Sequence, residues 1–288
     1  MTDTLRGAAL MTAAMAMFAV EDALIKSLAA TFSPAQIIWM LGLGGTLAFA
    51  LWLRLTGQTI WSPLYLNPQV MLRTAFEAGG SMFFVSALAV VPLALASAVI
   101  QATPLLVAMG AALFLGAEVG WRRWLAIIVG FGGVLIILRP AGDGFDPNTL
   151  LAVCGMVGLA ARDLCTRTIP KTTSGARLSF IAFAALTGVG LGLHLIQQAP
   201  VQRPDPWQLA ILSLCVIIGM AGYLAIVAGT RVGEIAVVSS FRYSRMIFAL
   251  VIATIFFDEN PDFWTLAGVS IVIASGIFTL VREARMRG

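Results

Sequence analysis

Apolar stretches long enough to cross a bilayer recur along the whole chain, and short runs that gather prolines, glycines and charges separate them. A helix rises about 1.5 Å per residue, so roughly twenty such residues span a hydrocarbon layer of about 30 Å. The pattern predicts ten spanning helices: Gly7–Ala30, Pro34–Leu55, Val70–Val91, Leu93–Gly116, Trp121–Leu138, Asn148–Ile169, Gly175–Gln197, Trp207–Thr230, Gly233–Phe257 and Phe263–Val281. The connections are too short to hold a soluble domain. The fold class is an all-α integral membrane protein.

Composition agrees. Of 288 residues, 59% are hydrophobic and 11% charged, where a soluble domain carries about 25% charged residues, and the mean hydropathy is +0.94. The net charge of +4 comes from cations scattered singly through the connections, with no basic stripe, so no nucleic-acid partner is expected. The expected partners are the lipid bilayer and a small-molecule substrate. With the N-terminus in the cytoplasm, the inner connections carry most of the cations, among them Arg54, Arg122, Arg123, Lys171 and Arg177, and the outer side holds only Lys26, Arg139 and Arg203. The positive-inside rule therefore places both termini in the cytoplasm. Trp61, Trp121, Trp124, Trp207 and Trp264 fall near helix ends, where indoles anchor at the interface. Cys154, Cys165 and Cys215 lie in apolar runs without metal or disulfide spacing.

The chain also repeats itself. At an offset of 141, Asp22 meets Asp163, Lys26 meets Arg167 and Glu118 meets Glu259; past Glu118 the offset becomes 143, pairing Trp121 with Trp264, Gly133 with Gly276 and Arg139 with Arg282. The halves are residues 1–140 and 141–288, with five helices each. An odd number makes the halves enter the membrane from opposite sides, an inverted repeat. A central cavity between such repeats can open to either side in turn, which points to a transporter.

The fourth span holds Pro104 and ends Leu115-Gly116-Ala117-Glu118. The fifth is glycine-rich at Gly130, Gly132 and Gly133 and ends Leu138-Arg139-Pro140, and the second copy ends Phe257-Asp258-Glu259. Over essentially the whole chain these features resemble the EamA type of the drug/metabolite transporter superfamily, nearest the YddG-like amino-acid exporters. The resemblance implies ten helices, cytoplasmic termini, a bacterial inner-membrane location and export of small metabolites. Two departures are the extra Ala117 and Arg245 at the place that Pro104 takes in the first copy.

A charge in hydrocarbon costs about 2.5–3.5 kcal/mol on insertion scales, so the intramembrane ions need explaining. Asp22 with Lys26, Arg73 with Glu77 and Asp163 with Arg167 are each four apart and face one another on a helix. They read as self-neutralising structural pairs or gates. Glu21, Arg162, Arg242 and Arg245 have no such neighbour and are the leading substrate-binding candidates. At helical rise, Arg242 and Arg245 lie about 13 and 18 Å from the cytoplasmic end and Glu21 about 21 Å. A zwitterionic amino acid suits them: its carboxylate bridges Arg242 or Arg245 and its ammonium is drawn to Glu21. A purely anionic solute would leave Glu21 to carry a proton, and an interhelical salt bridge from Glu21 to an arginine would make it a lock or gate.

Gln101, Ser239, Tyr223 and Tyr243 are polar candidates on the same helices. Pro104, with its freed carbonyl, and Gly79, Gly80, Gly219 and Gly222 are the candidate hinges. His194, near the outer end of the seventh span, reads as interfacial. No catalytic motif, metal cluster, P-loop or cofactor-sized loop occurs, so no cofactor is expected and an enzyme is disfavoured. The sequence reading is a secondary transporter exporting amino acids or similar zwitterions. Drug, nucleotide-sugar or other anionic-metabolite carriage in the same fold is the alternative, and a passive channel comes behind it.

Overall fold

A computed structural model describes residues 3–139, 145–170, 172–232 and 235–287, with helix the only regular structure among them. Pro140, Lys171 and Gly233 lie outside the described residues. The helices are α1 (Asp3–Leu28), α2 (Pro34–Leu55), α3 (Pro68–Val90), α4 (Leu93–Ile100), α5 (Thr103–Phe114), α6 (Trp121–Leu138), α7 (Thr149–Thr168), α8 (Gly175–Gln197), α9 (Pro206–Arg231), α10 (Ile235–Ser240), α11 (Ser244–Phe257) and α12 (Phe263–Arg287). Nine stretches among the described residues are long and apolar enough to span a bilayer, two of them interrupted, α4 with α5 and α10 with α11. The remaining long helix is α3, which carries Arg73 and Glu77.

Local chemistry sets the ends. Ser33 accepts the Gln36 amide at 3.3 Å ahead of α2, whose first residue is Pro34. Asp205 and Gln208 exchange reciprocal bonds of 2.7 and 2.9 Å, a capping box opening α9. Asp262 accepts the Thr265 amide at 2.9 Å to open α12. Arg139, Gln198 and Asp258 end α6, α8 and α11 with left-handed backbone.

Two predicted spans are broken. In the first, the interruption is Gln101-Ala102, ahead of Pro104; the proline sits in the first turn of α5, where its missing N–H costs no helix bond. Thr103 covers a carbonyl freed there, donating to Ile100 at 2.6 Å. The second break is a 3₁₀ turn at Phe241–Tyr243, with no proline. By contrast α3 runs unbroken through Gly79-Gly80 and α9 through Gly219 and Gly222.

The chain forms two compact units, each drawing on both halves of the sequence. One comprises residues 1–23, 91–150 and 217–288; the other comprises 24–90 and 151–216. In the first, α6 and α12 cross closely, and a Cβ on Gly133 would stand 2.8 Å from the carbonyl of Gly268. In the second, α2 packs on α8 and α3 on α7: a Cβ on Gly42 would meet the Thr187 backbone at 2.6 Å, and one on Gly158 would meet Gly80 Cα at 2.6 Å. Small residues drive helix association in lipid, where apolarity alone gives no preference for protein over acyl chains.

Candidate functional site

Both broken spans belong to the unit built from residues 1–23, 91–150 and 217–288, and their breaks are bonded to each other. Gln101, 8% exposed, donates from Nε2 to the carbonyl of Arg242 at 3.2 Å. The Arg242 carbonyl belongs to the 3₁₀ turn, where it also accepts the Ser244 amide, and the Gln101 side chain adds a second donor to it.

One turn beyond, Arg245 reaches α1. Its Nη2 and Nε lie 2.6 and 3.2 Å from Oδ2 of Asp22, and its guanidinium stands 5.6 Å from the centre of the Phe18 ring. Asp22, read as the helix-local partner of Lys26, thus holds a cation from another helix. Lys26 donates to the Leu88 carbonyl at 3.4 Å. The interhelical bridge expected from Glu21 to an arginine is made by its neighbour Asp22 instead.

Glu21 makes no ion pair or hydrogen bond among the described residues. Its carboxylate lies against α9 at Gly219, where an added Cβ would stand 2.8 Å from Oε1. One turn further along α9, a Cβ on Gly222 would stand 3.2 Å from the Phe18 ring. These glycines, read as hinges, are here the seats of two α1 side chains. Arg242 is half-buried and its guanidinium likewise makes no ion pair among the described residues. Tyr243 is buried with its hydroxyl against Gly276, and Tyr223 and Ser239 are half-buried in the same unit.

In the other unit Arg73, Glu77, Arg162 and Asp163 are ion-paired with one another. Glu77 takes Arg73 at 2.8 Å, as its spacing predicted, and takes Arg162 through both oxygens at 2.8 Å. Arg162 also lies 2.8 Å from Asp163, while Arg167, expected to pair with Asp163, is exposed. Arg73 further donates to the Leu178 carbonyl at 3.0 Å. Arg162 thus has its partners within the protein. His194 is buried, which its reading as an interfacial side chain did not anticipate.

Two contacts that sequence alone did not find close one end of the first unit. Glu259 accepts the amides of Leu93 and Ala94 at 2.7 and 3.0 Å, capping α4 from a distant part of the chain. Arg139 is ion-paired with Asp262, and this bond together with the Thr265 amide holds the Asp262 carboxyl well below its usual range.

Comparison with known proteins agrees with this architecture. The profile of the EamA-like transporter family matches twice, over residues 5–139 and 148–281. The chain belongs to that family and is a drug/metabolite-type transporter. It is 26% identical over 215 residues to a riboflavin transporter of Rhizobium johnstonii, covering 75% of this chain and 70% of that one. It is 25% identical over 201 residues to an S-adenosylmethionine uptake transporter of Rickettsia conorii, covering 69% and 66%. To the pseudopaline exporter CntI of Pseudomonas aeruginosa it is 26% identical over 262 residues, covering 89% and 90%. A solved crystal structure shares the fold at a TM-score of 0.66 and 18% identity, over 97% of this chain and 98% of that one.

Proposed function

We propose that this transporter exports amino acids or similar small zwitterionic metabolites, by alternating access of two inverted five-helix repeats, residues 1–140 and 141–288. The observation that carries the reading is Glu21, which makes no ion pair or hydrogen bond among the described residues. In the repeat register Glu21 corresponds to Arg162, 141 residues on. Arg162 is met by Glu77; within one residue of the equivalent place, Glu21 is met by Gly219. One copy supplies a counter-ion and the other leaves room for one. A carboxylate in that setting stays ionised only beside a cation, and the ammonium of a bound solute is the cation this reading supplies.

Arg242 is the matching cation for the solute carboxylate, through bidentate bonds that suit a planar guanidinium. Arg245 is occupied by Asp22 and positions α1 instead. Gln101 ties the two breaks together, and Tyr223, Tyr243 and Ser239 lie in the same unit. The breaks at Gln101-Ala102 and Phe241–Tyr243 are the places where helices bend between states, since neither holds a full set of helical bonds. The protein sits in the bacterial inner membrane with both termini cytoplasmic.

The test is transport in proteoliposomes with a panel of amino acids, anionic metabolites and nucleotide sugars, with and without a pH gradient. Saturable flux of a zwitterion that competes with other zwitterions supports the reading. Flux of anionic solutes alone, unchanged in Glu21→Gln, overturns it and favours the anionic-metabolite reading of the same fold.

A further inference from the structure

The close crossing of α6 and α12 at Gly133 and Gly268 also brings their far ends together. There, a cavity of about 300 Å³ is lined by Gly120, Trp121, Arg122, Arg123 and Arg282. Among the described residues that line it, three are arginines; Arg123 already has a partner within the protein, so Arg122 and Arg282 are the cations it offers. It opens at the N-terminus of α6, whose cap residue Gly120 has no side chain to accept the first amides. Helix amides and several guanidiniums converging on one space form an anion site.

The repeat shows what is missing. At the opposite end of the same helix pair, Arg139 closes α6 and is paired with Asp262, which precedes α12. At the offset of 143 the counterpart of Arg139 is Arg282, and that of Asp262 is Val119, beside Gly120. The acid present in one copy is an apolar residue in the other, and Arg282 makes no ion pair among the described residues. Trp121 stands exposed at the mouth, with Arg122 5.3 Å from the centre of its ring. An indole beside several arginines is the combination found where a membrane helix meets lipid phosphates.

We propose that this cavity binds a phosphate-bearing anion, taking as its counter-charge the phosphate of an anionic phospholipid headgroup or a free phosphate. The site is separate from Glu21 and Arg242 and does not depend on which solute is carried.

The experiment is thermal unfolding of the detergent-solubilised full chain titrated with short-chain phosphatidylglycerol, short-chain phosphatidylcholine or inorganic phosphate. It is run on wild type and on the Arg122→Gln/Arg282→Gln variant. Wild type is expected to be stabilised by phosphatidylglycerol over phosphatidylcholine, with apparent affinity weakened roughly tenfold or more in the variant. Stabilisation by phosphatidylglycerol but not inorganic phosphate identifies the lipid as the source; stabilisation by inorganic phosphate, lost in the variant, identifies a soluble anion. Should the variant not fold, wild type alone decides: high salt must abolish the preference for phosphatidylglycerol or phosphate. Equal effects of both lipids with none from phosphate, an unchanged affinity in the variant, or a salt-independent preference overturns the proposal.

Discussion

Gln101 donates its side-chain amide to the carbonyl of Arg242, the residue 141 places further on that is its own counterpart in the repeat. The interruptions of two corresponding helices are therefore joined by one buried bond. Removing it costs about 0.5–1.5 kcal/mol, the net worth of one hydrogen bond, since the Arg242 carbonyl keeps the Ser244 amide. Gln101→Leu is expected to lower the unfolding temperature and slow transport together, while Gln101→Glu, which keeps the shape but loses the donor, does the same. Thermal unfolding and proteoliposome flux measured on one preparation check this.

The Asp22 bridge to Arg245 predicts non-additivity. Asp22→Asn removes the carboxylate that takes the half-buried Arg245 guanidinium and is expected to cost about 1.5–3 kcal/mol, the worth of hydrogen bonds to a charged group. The double variant Asp22→Asn/Arg245→Met removes both partners of the bridge and is expected to lose less than the sum of the two single losses. A double-mutant cycle in thermal or denaturant unfolding reads the coupling; equal, additive losses would contradict a bridge of this kind.

Glu259 holds the first amides of α4 as a latch. Glu259→Gln keeps the size but replaces a charged double acceptor with a neutral one, weakening a charge-assisted cap. The expected result is faster amide hydrogen exchange in the segment around Leu93 and Ala94, by roughly tenfold, from a loss of one to two kcal/mol. Exchange elsewhere, in α8 for instance, is expected to stay unchanged.

Gly219 gives the Glu21 carboxylate its place. A Cβ there would stand 2.8 Å from Oε1, a distance that forces the end of a flexible side chain to move rather than the helices. Gly219→Ala is expected to raise KM several-fold with little change in unfolding temperature. Gly42→Ala, whose Cβ would meet Thr187 backbone at 2.6 Å, is expected to destabilise the fold instead.

Much of this was legible beforehand because the bilayer imposes hard rules on the chain. Every long apolar run became a helix, since backbone groups in lipid must bond within their own segment. The pair Arg73 and Glu77 followed from spacing four on one helix. Partners on other helices did not follow: that Asp22 takes Arg245, and Glu77 takes Arg162, depends on which helix faces which. Pro104 marks a break within a few residues, while the break at Phe241–Tyr243 has no proline and falls inside a span that the sequence predicts to be continuous. The glycines at 219 and 222 pointed to something that needs little volume, and the sequence does not distinguish a hinge from a seat for another side chain.

Glu21 makes no ion pair among the described residues, which the proposed function explains by an ammonium that the solute brings. Competitive uptake of a zwitterion into proteoliposomes, compared between wild type and Glu21→Gln at matched protein folding, tests this most directly. Glu21→Gln is expected to unfold close to the wild-type temperature, since it keeps the size of the side chain and makes no ion pair to lose among the described residues, and to lose zwitterion affinity by at least roughly tenfold. Unchanged zwitterion affinity in a folded Glu21→Gln protein would contradict it.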